Sequence, residues 1–208
     1  MARAAFLKAA HDHGFDVISH HHPLTGPDGA ALATDIVHCG ALPGDATKRL
    51  ILSSGTHGIE GYAGSAIQTA LLTKGLFDKL PATVGVTLIH AVNPYGFAHD
   101  RRVNEDNVDL NRNFIDHDSG PLPTNDGYRT INEALNPKSR DEATQAASQQ
   151  AIRAYVADHG FEAFQAAVSQ GQYDFPKGIF YGGDKPSWSN QMIRTCLQKL
   201  GKGLTHCV

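Results

Sequence analysis

Residues 50–65 read Leu50-Ile51-Leu52-Ser53-Ser54-Gly55-Thr56-His57-Gly58-Ile59-Glu60-Gly61-Tyr62-Ala63-Gly64-Ser65. A short apolar run ends in a glycine-rich turn, and a helical periodicity begins beyond it. His57 and Glu60 stand at i and i+3, a spacing that places both side chains on one face of a helical turn. One nitrogen and one oxygen can then converge on a metal ion. Zinc accepts such donors, and a catalytic zinc takes three protein ligands and keeps one position for water. The plain alternative is a histidine at a helix start with a solvated glutamate beside it. Gly55, Gly58, Gly61 and Gly64 weigh against that alternative, because glycines crowd a junction where backbone must approach something closely.

Working outward, Arg49–Ser53 reads as a strand and Ala63–Lys74 as a helix with Ala63, Ile67, Ala70 and Leu71 on one face. Val84–Ala91 is rich in β-branched residues and reads as a buried strand. Strand, helix, strand in that order predicts a parallel sheet with crossover helices. Ligand sites in such sheets lie beyond the carboxyl ends of the strands, where His57 and Asn93 both fall. Residues 2–13 predict an amphipathic helix and Ala31–Val37 a further strand. His20–Gly29, Asn93–Gly96 and residues 116–127 read as loop or turn, from their Pro, Gly and Asn content. Helices are expected over Arg140–Asp158, Glu162–Ser169 and Trp188–Leu200, with the start of a strand over Leu204–Val208. One domain over 1–208 is the expected organisation.

The chain has 208 residues and a formal net charge of −3, so it offers no basic footprint for nucleic acid. No run approaches the length of a membrane span, and the N-terminus lacks the apolar stretch of a signal peptide. The three cysteines, Cys39, Cys196 and Cys207, are far apart and form no CxxC pair. A reducing, cytoplasmic setting is expected.

The second chemical cluster is Arg101-Arg102-Val103-Asn104-Glu105-Asp106-Asn107-Val108-Asp109-Leu110-Asn111-Arg112-Asn113-Phe114. A guanidinium grips a carboxylate through two parallel hydrogen bonds, and a neighbouring amide can add another. Asn111 and Arg112 are therefore a candidate clamp for an anionic substrate, and Arg102 a candidate for stabilising an oxyanion. A surface network of salt bridges is the other reading of so polar a run.

Gly55-Thr56-His57-Gly58-Ile59-Glu60-Gly61, Asn93-Pro94-Tyr95-Gly96 and Asp109-Leu110-Asn111-Arg112-Asn113-Phe114 occur in that order. Together they resemble the zinc metallocarboxypeptidases of the carboxypeptidase A type. The surrounding wording, including Tyr181–Asn190, is similar to a bacterial branch known only as a domain of unknown function. The resemblance implies an α/β fold with a mixed, mostly parallel sheet flanked by helices. It implies Zn2+ held by His57 and Glu60, a substrate carboxylate held by Asn111 and Arg112, and a scissile carbonyl polarised by Arg102. Zinc in that family lowers the pKa of its water, and a glutamate base takes the water's proton.

The family's third ligand, a later histidine, and its catalytic glutamate have no matching segment before Val208. The chain is thus expected to stop short of them, with His206 as the alternative third ligand. Three functions follow. The first is a zinc hydrolase that cuts an amide bond next to a free carboxylate in a peptide or peptide-like substrate. The second is an amidase of the aspartoacylase type acting on N-acyl amino acids. The third is a catalytically incomplete carboxylate-binding module. Neither a membrane nor a nucleic-acid partner is expected. Sheet edges left bare in an incomplete domain would favour a homo-oligomer.

Overall fold

Four segments form one sheet in the computed structural model, which describes residues 1–201. They are β1 (Val17–Thr25), β2 (Ala31–Gly40), β3 (Lys48–Ser53) and β4 (Val84–His90), in the spatial order β1-β2-β4-β3. β1 and β2 are antiparallel, β2 and β4 are antiparallel, and β3 and β4 are parallel. The mixed α/β class is the expected one, although only one of these three pairings is parallel. The difference comes from His20–Gly29. Most of that segment is strand, turning near Gly26–Gly29 and returning antiparallel as β2. Pro23 is tolerated because β1 is an edge of the described sheet and its register slips between His21 and Thr25.

β3, α2 (Gly61–Thr73) and β4 make the crossover unit read from the sequence. α1 (Ala2–Asp12) and α2 cover one face of the sheet. Phe6, Ala9, Ala10, Val37, Cys39, Leu72, Phe77, Val86 and Leu88 form the core between them. Burying a side chain such as Phe6 or Leu72 contributes about 1.5–3 kcal/mol. The polar seam of this interface is Arg3. Its Nε and Nη2 donate to the two carboxylate oxygens of buried Asp35, at 2.7 and 2.9 Å, and Ser19 Oγ adds a third bond at 2.6 Å. The described residues gather in two compact units, one built from Met1–Glu105 with α8 (Trp188–Gly201), the other from Asp106–Ser187. None of the described helices is long and apolar enough to cross a membrane.

His90 closes β4 as a core histidine. It is fully buried, stacks on Phe6 with ring centroids 4.4 Å apart, and places Nε2 2.8 Å from Ser65 Oγ. Burial pushes its pKa down from 6.5 to about 4, against an opposing pull from Asp35. The unfolded chain therefore takes up this proton first as acid is added. The corresponding stability is present above about pH 6.5 and is lost as the pH falls towards 4, by roughly 3 kcal/mol in total. Urea unfolding between those limits should show this slope, and His90→Gln should flatten it. An unchanged slope in that variant would exclude His90 as its source.

The second unit is helical: α4 (Leu110–Asn113), α5 (Asp126–Leu135), α6 (Glu142–His159) and α7 (Phe161–Ser169). Ile131, Tyr155 and Ala167 form its small core, with Leu135, Phe164 and Val168 against it. The sequence reading has no helix over 126–135. Asn125 starts α5 by accepting from Tyr128 N at 2.9 Å, and its amide donates to the carbonyls of Ala167 and Gly171.

Candidate functional site

The glycines after β3 do what their crowding suggests. Gly55 has φ +71°, a left-handed conformation that lets the chain leave the strand sharply. Gly58 lies against the backbone of α3 (Pro94–Ala98), where an added Cβ would fall 1.9 Å from Gly96 C. This segment after β4, expected as a turn, is a short helix with Asn93 as its cap, Oδ1 accepting from Gly96 N at 2.8 Å. The two post-strand segments are joined by main-chain bonds, Val92 N to Ser54 O at 2.9 Å and Asn93 N to Gly55 O at 2.8 Å. Ile59 N reaches Arg101 O at 3.3 Å. A rigid rim thus carries His57, Glu60 and Arg102.

Those three side chains meet. His57 Nδ1 is 3.1 Å from Glu60 Oε2, and Arg102 Nη1 donates to Glu60 Oε1 at 2.7 Å. His57 is nearly buried, while the Glu60 side chain is 60% exposed. Two donors on a tetrahedral zinc, each about 2.0–2.2 Å from it, stand roughly 3.3 Å apart. The nitrogen and oxygen here are close to that spacing, so the pair fits two positions of a zinc shell. Among the described residues there is no group of three His, Cys, Asp or Glu side chains placed to hold a metal ion. His206, the alternative third ligand, lies outside the described residues.

Glu105 pairs with His22. Its Oε1 is 3.3 Å from Nε2 of buried His22, whose Nδ1 accepts from Leu24 N. Burial raises the Glu105 pKa, but His22 and the backbone hydrogen bond outweigh it, and the net shift is downward. His22, expected in a solvated turn, instead packs edge-on against Trp188 with centroids 4.7 Å apart.

Asn111 and Arg112 belong to the second unit. Asp109 caps their short helix, accepting from Asn111 N at 2.9 Å. Asn111 is exposed. Arg112 donates through Nη1 to Asn111 O at 3.1 Å and through Nη2 to Ser169 O, at the carboxyl end of α7. Its Cζ sits 5.9 Å from the Phe180 ring centroid, and its Nε is buried with no hydrogen-bond partner.

Asn113 is a residue the sequence reading did not single out. It is fully buried, with Oδ1 accepting from Ser187 N and Nδ2 donating to the carbonyls of Gly182 and Lys185, all at 2.8–2.9 Å. Asn113→Ala should cost about 3 kcal/mol, since it strands buried partners as well as losing bonds. A urea midpoint equal to wild type would contradict this.

A family model matches the chain over residues 1–208. The chain belongs to the family described as Protein of unknown function (DUF2817). No curated protein matches it. Among solved structures, this DUF2817 chain is similar to an aspartoacylase family protein from Mesorhizobium loti, at 24% identity and a TM-score of 0.37, over 49% of this chain and 30% of that one. A succinylglutamate desuccinylase/aspartoacylase from Rhodobacter sphaeroides matches at 22% identity and a TM-score of 0.36, over 52% and 32%. A metallo-carboxypeptidase from Burkholderia cenocepacia matches at 17% identity and a TM-score of 0.36, over 76% and 37%. The matched regions span about a third of the length of each of these solved chains.

Proposed function

We propose that this DUF2817 protein is a zinc-dependent hydrolase of the metallocarboxypeptidase type, cleaving an amide bond next to a free carboxylate in a peptide or peptide-like substrate. The observation that carries this reading is the convergence of His57 Nδ1 and Glu60 Oε2, 3.1 Å apart, with Arg102 bonded to the other oxygen of the same carboxylate. His57 and Glu60 would supply two ligands, and the bound zinc would provide Lewis acidity and a more acidic water. Arg102 brings a fixed positive charge to the same rim, suited to stabilising negative charge that develops on a carbonyl oxygen. Asn111 and Arg112 would hold the substrate's carboxylate. Two main-chain bonds and the Phe180 ring restrain the Arg112 guanidinium, which lowers the entropy cost of gripping an anion.

The test is hydrolysis of peptides with free C-termini beside a panel of N-acyl amino acids, with and without zinc. Zinc-dependent cleavage of the peptides is expected. Arg112→Ala should raise KM about tenfold or more with unchanged zinc content, because it removes binding and leaves the metal ligands in place. Preference for N-acyl amino acids would replace this reading with the aspartoacylase-type amidase. Carboxylate binding without turnover would leave a binding module.

A further inference from the structure

On the first unit, β1 and α8 bring together two sulfur donors and one imidazole that play no part in the proposed hydrolysis. Cys196 Sγ lies 3.6 Å from His20 Nε2 and 3.7 Å from Met192 Sδ. Cys196 and Met192 are both buried. A surface depression of about 300 Å³, lined by His20, Met192, His21 and Trp188 among others, opens beside them. Sulfur and imidazole ligands about 2.0–2.3 Å from a metal stand roughly 3.5–4 Å apart when three surround it. Both measured separations fall in that range.

We propose that His20, Cys196 and Met192 form a binding site for one Cu(I) ion. Thiol and thioether donors select soft cations, and imidazole tolerates them. Charge decides between copper and zinc. On binding, the Cys196 S–H bond breaks, its proton leaves to solvent, and a sulfur–copper bond forms with no change of oxidation state. One thiolate then neutralises one monovalent cation. A divalent ion with the same ligands would leave a net buried charge, which is costly.

The experiment is anaerobic titration of the whole chain carrying Cys207→Ser with Cu(I), in competition with a chromogenic Cu(I) chelator. A single tight equivalent is expected. Cys196→Ser should weaken it at least about 100-fold, and Met192→Leu at least about tenfold, both at or beyond the effect of losing an outer-shell partner. Met192→Leu conserves core volume, so the fold should survive it. X-ray absorption should find two sulfur neighbours and one nitrogen. Failure to compete with the chelator, equal affinity in both variants, or a copper shell without sulfur would each reduce the cluster to core packing.

Discussion

Gly58→Ala is expected to destabilise the first unit by about 3 kcal/mol or more. The new Cβ would lie 1.9 Å from Gly96 C, 2.2 Å from Gly96 O and 2.3 Å from Phe97 N. These are backbone atoms and have no rotamer to escape into. α3 cannot retreat either, since a Cβ on Gly96 would already meet Val103 O at 2.7 Å and Arg101 O at 2.8 Å. The loop from Gly55 to Glu60 would have to lift off, carrying His57 and Glu60 with it. Urea unfolding measures the cost. Ile59→Ala, at the half-exposed neighbour, should cost less than about 1 kcal/mol and serves as the control. A Gly58→Ala midpoint equal to wild type would mean that the two segments do not touch as described.

Glu60→Gln should leave the fold intact and remove the chemistry. Its side chain is largely exposed, so losing the ion pair with Arg102 costs about 1 kcal/mol or less. The amide keeps the shape but lacks the charge that would hold a divalent cation. Zinc affinity should fall beyond the roughly 10–100-fold typical of losing an outer-shell partner, and amide hydrolysis should fall with it. His57→Ala should remove most bound metal in the same way. Metal analysis after dialysis, paired with circular dichroism, checks both variants. Full zinc content in either one would dismiss the pair as ligands.

Local geometry is legible in the sequence where it depends on near neighbours. The β-branched run at Val84–Ala91, the helix after Gly61 and the convergence of His57 with Glu60 all follow from spacing. The glycine crowding pointed to a close approach, although nothing local named Gly96 as the partner. Features set by distant residues were not legible. Asn113 answers to main-chain atoms of residues 182–187, and Arg112 to a carbonyl at residue 169. Neither periodicity nor composition carries such pairings. His20–Pro23 misled for a different reason. Polar side chains and a proline argue against a central strand, but an edge strand needs only one side of its backbone bonded.

Pro23 also governs how the molecule behaves when crowded. It lacks a main-chain donor near the carboxyl end of β1, where the register is already slipped. An approaching strand meets no continuous row of partners there, which disfavours edge-to-edge pairing at that end of the strand.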